Sequence, residues 1–152
     1  GVAATKGVTD LVKGFVARPR PLTHLAPEIA RAETEDDPAF TKRSFFSGHA
    51  ATAFFSAAYL ERHARATMRR EMSSGDYGSW RWAPPLIGYG WATVVGISRI
   101  QAQRHYLTDV VAGALAGIGM GALFYSLGDD YRPEGSGGQN TPPLLLTFSL
   151  SF

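Results

Sequence analysis

Gly113, Gly117 and Gly121 recur every fourth residue inside a run that is nearly all apolar from Val110 to Leu127, and this repeat constrains the fold more than any other feature. Residues four apart lie on one face of an α-helix, so the run predicts a helix carrying a stripe of glycines, against which another backbone can pack closely. This helix is expected to run from about His105 to Leu127. Three more are predicted upstream. Val8, Leu11, Val12 and Phe15 fall at helical spacing within Val2 to Val16, ahead of an Arg18-Pro19-Arg20-Pro21 stop. Ser47 to about Met72 reads as a long helix, small and apolar to Leu60 and strongly charged beyond it. Ala83 to Ile100 opens with Pro84 and Pro85, which a first helical turn tolerates.

Between these segments, residues 22 to 43 are polar, with no sustained period, and are expected to form a surface loop with one short turn of helix, suited to a lid or specificity element. The stretch from Ser73 to Gly78 reads as a turn. Residues 128 to 143 have the composition of a linker, and Leu144 to Phe152 alternates like a strand. The expected fold is an all-α helical bundle over residues 1–127, with a linker and strand-like tail over 128–152.

At 152 residues the chain is one domain in size. Its formal charge of +2 is not gathered into a basic arm or stripe, so nucleic acid is not an expected partner. Cysteine is absent, which removes disulfides, thiol nucleophiles and thiolate metal sites. The sequence opens at Gly1 rather than methionine, and a leader lost upstream is the expectation.

Three clusters concentrate residues that bind phosphate or move protons. Lys13 and Arg20-Pro21 place two cations at a helix end and a stiffened turn, suited to an anion with several oxygens. Ser47-Gly48-His49 lies at a helix start, where backbone amides and the dipole favour an anion and glycine permits close approach. Ser98-Arg99, five residues, His105, three residues and Asp109 form the third. With His105 and Asp109 four apart on a helix, the carboxylate can take a proton from one imidazole nitrogen and leave the other as a nucleophile. Each cluster alone also has a bland reading: a solvated basic helix end, a serine cap, an (i, i+4) ion pair.

In order, Lys13-x6-Arg20-Pro21, Ser47-Gly48-His49 and Ser98-Arg99-x5-His105-x3-Asp109 resemble the three signature motifs of the type-2 phosphatidic acid phosphatase superfamily. It includes lipid phosphate phosphatases, bacterial non-specific acid phosphatases and vanadium haloperoxidases. The resemblance spans roughly Val8 to Leu127 and implies a helical bundle whose phosphatase activity needs no metal or other cofactor. It implies that Lys13, Arg20 and Arg99 hold phosphate oxygens, with Ser47 and the Gly48 amide completing the cradle. His105 would attack phosphorus, Asp109 would orient and charge-stabilise His105, and His49 would protonate the leaving oxygen and then activate water. Two departures stand out: Phe46 where the family usually has proline, and little helix ahead of the first motif. The second implies a fragment or minimal form lacking N-terminal helices of the bundle.

The implied substrate is a phosphorylated lipid or a small phosphate ester. Phe46 to Leu60, Ala83 to Ser98 and Val110 to Leu127 are apolar runs slightly short of a bilayer span. Arg62, Arg65, Arg69, Arg70 and Arg81 gather in the connection opposite the catalytic end, as in a cytoplasmic loop, and Trp80, Trp82 and Tyr89 suit an interfacial belt. A bacterial membrane enzyme with its site on the periplasmic or exterior side is expected, with a soluble periplasmic protein as the alternative. Two rival functions share the same anion cradle: a haloperoxidase holding vanadate on His105, and a non-catalytic phosphate-binding bundle.

Overall fold

The computed structural model describes residues 1–36 and 42–130. These form α1 (Val2–Val16), α2 (Leu22–Leu25), α3 (Pro27–Asp36), α4 (Gly48–Glu71), α5 (Ser74–Trp80), α6 (Ala83–Gln101) and α7 (Leu107–Asp130). Among the described residues there are no strands, and the fold is all-α. The strand-like tail expected over 144–152 lies outside them.

The glycine stripe sets the architecture. A Cβ at Gly113 would lie 2.5 Å from the Ser47 carbonyl oxygen, one at Gly117 would overlap the Ala51 carbonyl, and one at Gly121 would come 2.7 Å from the Phe55 carbonyl. The contacts advance together along both helices, so α4 and α7 run parallel, backbone against backbone. Ala51 and Ala58 are fully buried at this seam. α6 runs antiparallel to both, with Gly88 on Ala57 at one end and Gly96 on Val110 at the other. α1 is antiparallel to α4, from Gly1 against Phe55 to Thr9 beside Gly48. One end of the bundle therefore collects the C-termini of α1 and α6 and the N-termini of α4 and α7. All three sequence clusters fall there.

The two kinds of glycine on α7 predict opposite mutational outcomes. Gly117→Leu forces a side chain into the α4 backbone, and thermal unfolding is expected to show a loss of about 3 kcal/mol, the upper range for overpacking. Gly119, with no neighbour near its missing Cβ, should accept alanine with no loss or a gain of up to about 1 kcal/mol from helix propensity.

Three local expectations are corrected. Residues 22–36 form two helices rather than a loop with a single turn. Pro27 opens α3 at a position where a missing N–H costs nothing, and Leu22 and Ala30 bury together with Ala26 against them. Two buried residues between 22 and 35 leave little periodicity to read. The 73–78 turn is the start of α5. Ser73 caps it by accepting from the Asp76 N–H and bonding the Asp76 carboxylate, a Ser-x-x-Asp start signal that the sequence does carry. Finally, α7 begins at Leu107, so His105 stands in the α6–α7 turn rather than on the helix.

Candidate active site

Ser47 caps α4. Its Oγ accepts from the Ala50 N–H, and its own N–H donates to the Asp109 carbonyl at 3.0 Å. That backbone bond ties the second cluster to the third, and the glycine-mediated approach of α7 makes it possible. Gly48 follows with its α-carbon under α1: a methyl there would meet Thr9 Cγ2 at 3.2 Å and Lys13 Nζ at 3.5 Å. Glycine thus lets the lysine ammonium stand over the first turn of α4, where free amides already attract an anion.

His105 is buried, with Nδ1 2.7 Å from the Ser44 carbonyl oxygen. A carbonyl can only accept, so Nδ1 carries the proton and Nε2 bears the lone pair. The direct imidazole–carboxylate hydrogen bond expected from the (i, i+4) spacing is not made. Asp109 Oδ2 lies 3.9 Å from Nδ1, too far for a hydrogen bond but close enough to act through its charge. The shift of His105 from helix to turn accounts for this, since only a helical His105 would sit one turn below Asp109.

Asp109 is fully buried and bonded on every side: to Arg18 Nη1 at 2.6 Å, Ser44 Oγ at 2.5 Å and the Tyr106 N–H at 2.9 Å. Arg18 also donates to Thr108 Oγ1 at 2.8 Å and stacks over the Tyr106 ring. Ser44 is the joint of this network. Its carbonyl orients His105, its hydroxyl donates to Asp109, and its N–H donates to the Arg18 carbonyl. Sequence reasoning missed both Arg18 and Ser44. Arg18 was visible as part of the helix stop, whereas no local pattern marks Ser44, whose role exists only after folding.

The cations converge electrically. Lys13 and Arg20 both disfavour the charged form of His105, and burial, followed by Arg99, Lys13, Arg20 and Arg104, disfavours the charged form of His49. Burial lowers the Lys13 ammonium from its usual range, with Asp10 opposing and Arg20 and Arg43 adding to the effect. Burial likewise pushes His105 down to about 4, the Ser44 carbonyl and Asp109 opposing Arg20 and Lys13. The imidazole is therefore neutral at physiological pH, its lone pair held among positive charges.

A stability prediction follows. Unfolded, His105 titrates near 6.5, and folded near 4, so between those values the unfolded chain binds the extra proton. This contribution to stability is fully present above pH 6.5 and is lost as pH falls towards 4, by about 3 kcal/mol. Melting temperature should drop through that window, and His105→Gln should flatten the drop.

The bundle thus gathers four helix ends and a set of cations around a buried neutral imidazole. The chain belongs to the PAP2 superfamily, whose family model matches residues 1–132. It is 37% identical over 86 residues to lipid A 1-phosphatase of Porphyromonas gingivalis, covering 57% of this chain and 16% of that protein. It is 31% identical over 83 residues to probable diacylglycerol pyrophosphate phosphatase 1 of Schizosaccharomyces pombe, covering 55% and 29%. Phospholipid phosphatase 2 of Rattus norvegicus is 25% identical across 99% of this chain and 61% of its own length. The chain thus spans 16 to 61% of these relatives. No solved structure matches it.

Proposed function

We propose that the chain is a phosphatase that cleaves a lipid phosphomonoester or pyrophosphate through a phosphohistidine intermediate, with no metal. The observation that carries this reading is the buried neutral His105, with Nδ1 bonded to the Ser44 carbonyl and with Arg20 and Lys13 near enough to disfavour its charged form. Nε2 attacks phosphorus as the bond to the leaving oxygen breaks, and His49 supplies the proton that this oxygen needs. Water then attacks the phosphohistidine, giving its proton to His49 and releasing inorganic phosphate. Lys13, Arg20 and Arg99, with the Ser47 hydroxyl and the Gly48 amide, neutralise the charge on the equatorial oxygens, a role that preorganised cations fill well. The names of the relatives support a lipid substrate.

The burial pattern supports membrane insertion. The largest fully buried side chains are Thr5, Thr9, Asp109, Ser44 and Ser47, while Leu86, Ile87, Trp91, Leu115 and Leu123 are exposed. Phe46, Phe55 and several alanines are buried as well, but so many large apolar side chains turned outward exceed what a protein that folds in water ordinarily exposes. α7 supplies one helix long and apolar enough to cross a bilayer, Leu107–Gly128, and only 22% of its most apolar stretch is buried. At the far end of α4, Arg65 and Arg81 flank the Trp82 ring and Arg69 lies over Tyr77. That end suits a cytoplasmic interface, with the phosphate site on the extracytoplasmic side.

The test is release of inorganic phosphate from a short-chain phosphatidic acid and from p-nitrophenyl phosphate in EDTA. Turnover is expected to persist in the chelator and to favour the lipid. Loss of activity on chelation, restored by a divalent metal, would sink the metal-free mechanism.

A further inference from the structure

A groove of about 1050 Å³ opens beside the phosphate site and runs the length of α4 between α1 and α6. Its mouth is Lys13, Gly48 and His49. Beyond them, Ala53, Ala57, Leu60, Ala64 and Met68 line it from α4, at steps of three and four that place them on one helical face. Alanine at three of these five positions keeps the floor low. Gly88 and Trp91 of α6 form one wall, and Trp80 closes in at the far end. The phosphate end carries Lys13 and His49 beside the paired Lys6 and Asp10, and beyond it the lining is mostly apolar except for Glu61, which pairs with Arg65.

We propose that this groove holds the hydrocarbon tail of the substrate whose phosphate sits at His105, and that small residues on its floor, Ser56 among them, determine how long a tail is accepted. The proposal rests on the phosphatase reading and adds to it where the tail lies and what measures it. Continuity with the phosphate site argues for the occupant. A phosphate anchored between Lys13 and Gly48 leaves its ester substituent at the mouth of an apolar channel, and the charge order of the channel matches that of an amphiphile. A position on α4 reports distance: Ser56 lies about 10 Å from His49 and Ala64 about 22 Å, at 1.5 Å per residue. A bulky side chain at Ser56, which also lines the groove, should therefore block all but the shortest tails, and one at Ala64 only the longest.

The experiment measures kcat/KM for methyl, butyl, hexyl and octyl phosphate with the full chain in lipid nanodiscs, comparing wild type, Ser56→Trp and Leu115→Trp. Leu115 is exposed on α7 and does not line the groove. Each methylene taken from water into an apolar channel is worth up to about fourfold, so kcat/KM should climb with chain length in wild type and Leu115→Trp. In Ser56→Trp the climb should stop early, with methyl phosphate turnover unchanged. Partition into the nanodisc is common to all three proteins, so equal slopes would overturn the proposal while leaving the phosphatase reading intact. Absence of turnover for every ester, methyl phosphate included, would overturn both. If Ser56→Trp fails to fold, a second measurement decides. Octyl phosphate brominated at its tail end should quench Trp91 fluorescence in the otherwise unaltered His105→Ala chain, and quenching that persists unchanged in Trp91→Phe would refute the assignment.

Discussion

His105→Ala is expected to lower kcat by about four orders of magnitude or more, the scale seen when a covalent nucleophile is removed, with the fold retained. The imidazole is not part of the α4–α7 seam, and its removal leaves one backbone carbonyl, that of Ser44, to find water. The stability cost should stay at about 1–3 kcal/mol, that of an unpaired polar group. A folded protein without turnover is thus the expected outcome, read by phosphate release beside a thermal melt. His49→Ala should behave differently. It slows both protonation of the leaving oxygen and water attack, each by about two to four orders of magnitude, so rapid quenching with radiolabelled substrate should trap an acid-labile, base-stable phosphoenzyme. Full activity in folded His105→Ala would remove the nucleophile from the mechanism.

The second large effect lies in the network behind the histidine. Arg18→Ala strips a cation bonded to a carboxylate that is itself fully buried. Breaking such a pair from one side costs about 3–5 kcal/mol when both partners are dry. Arg18 is partly exposed, so about 2–3 kcal/mol is expected, because water can reach the vacated space. Asp109→Asn should lose a similar amount, since Arg18 and the Ser44 hydroxyl then face a neutral amide. In a double-mutant cycle followed by thermal unfolding, the Arg18→Ala and Asp109→Ala losses should fail to add by about 1 kcal/mol or more. Strict additivity would mean that the pair contributes nothing. Both variants should also lose turnover, through the orientation of Ser44 and not through any contact with phosphate.

Much of this site was legible beforehand because its parts are local. A serine before a helix, a glycine beside it and a histidine in the first turn are read from adjacent letters, and the structure puts Ser47, Gly48 and His49 in those roles. Four helices were likewise legible, since each has its own period or its own proline stop. The α2–α3 region was not, because Leu22 and Ala30 bury only by meeting each other across a bend. The (i, i+4) relation of His105 and Asp109 misled for a related reason. Spacing places two side chains on one face only if both residues are helical, and the turn that holds His105 is set by the carbonyl of Ser44, sixty-one residues away.

By itself the sequence determined the four long helices, that α7 can approach another backbone closely, and which residue types are available to bind and attack a phosphate group. Tertiary structure alone decided that α7 lies parallel to α4, that four helix ends meet at one end of the bundle, that Ser44 and Arg18 hold Asp109, and that a groove leads away from Lys13, Gly48 and His49. The physical reason is range. Helix propensity, capping and glycine spacing act within about one or two turns and are written in consecutive letters. A buried hydrogen-bond network and a groove are defined by what surrounds them, and here those surroundings come from segments far apart in the chain.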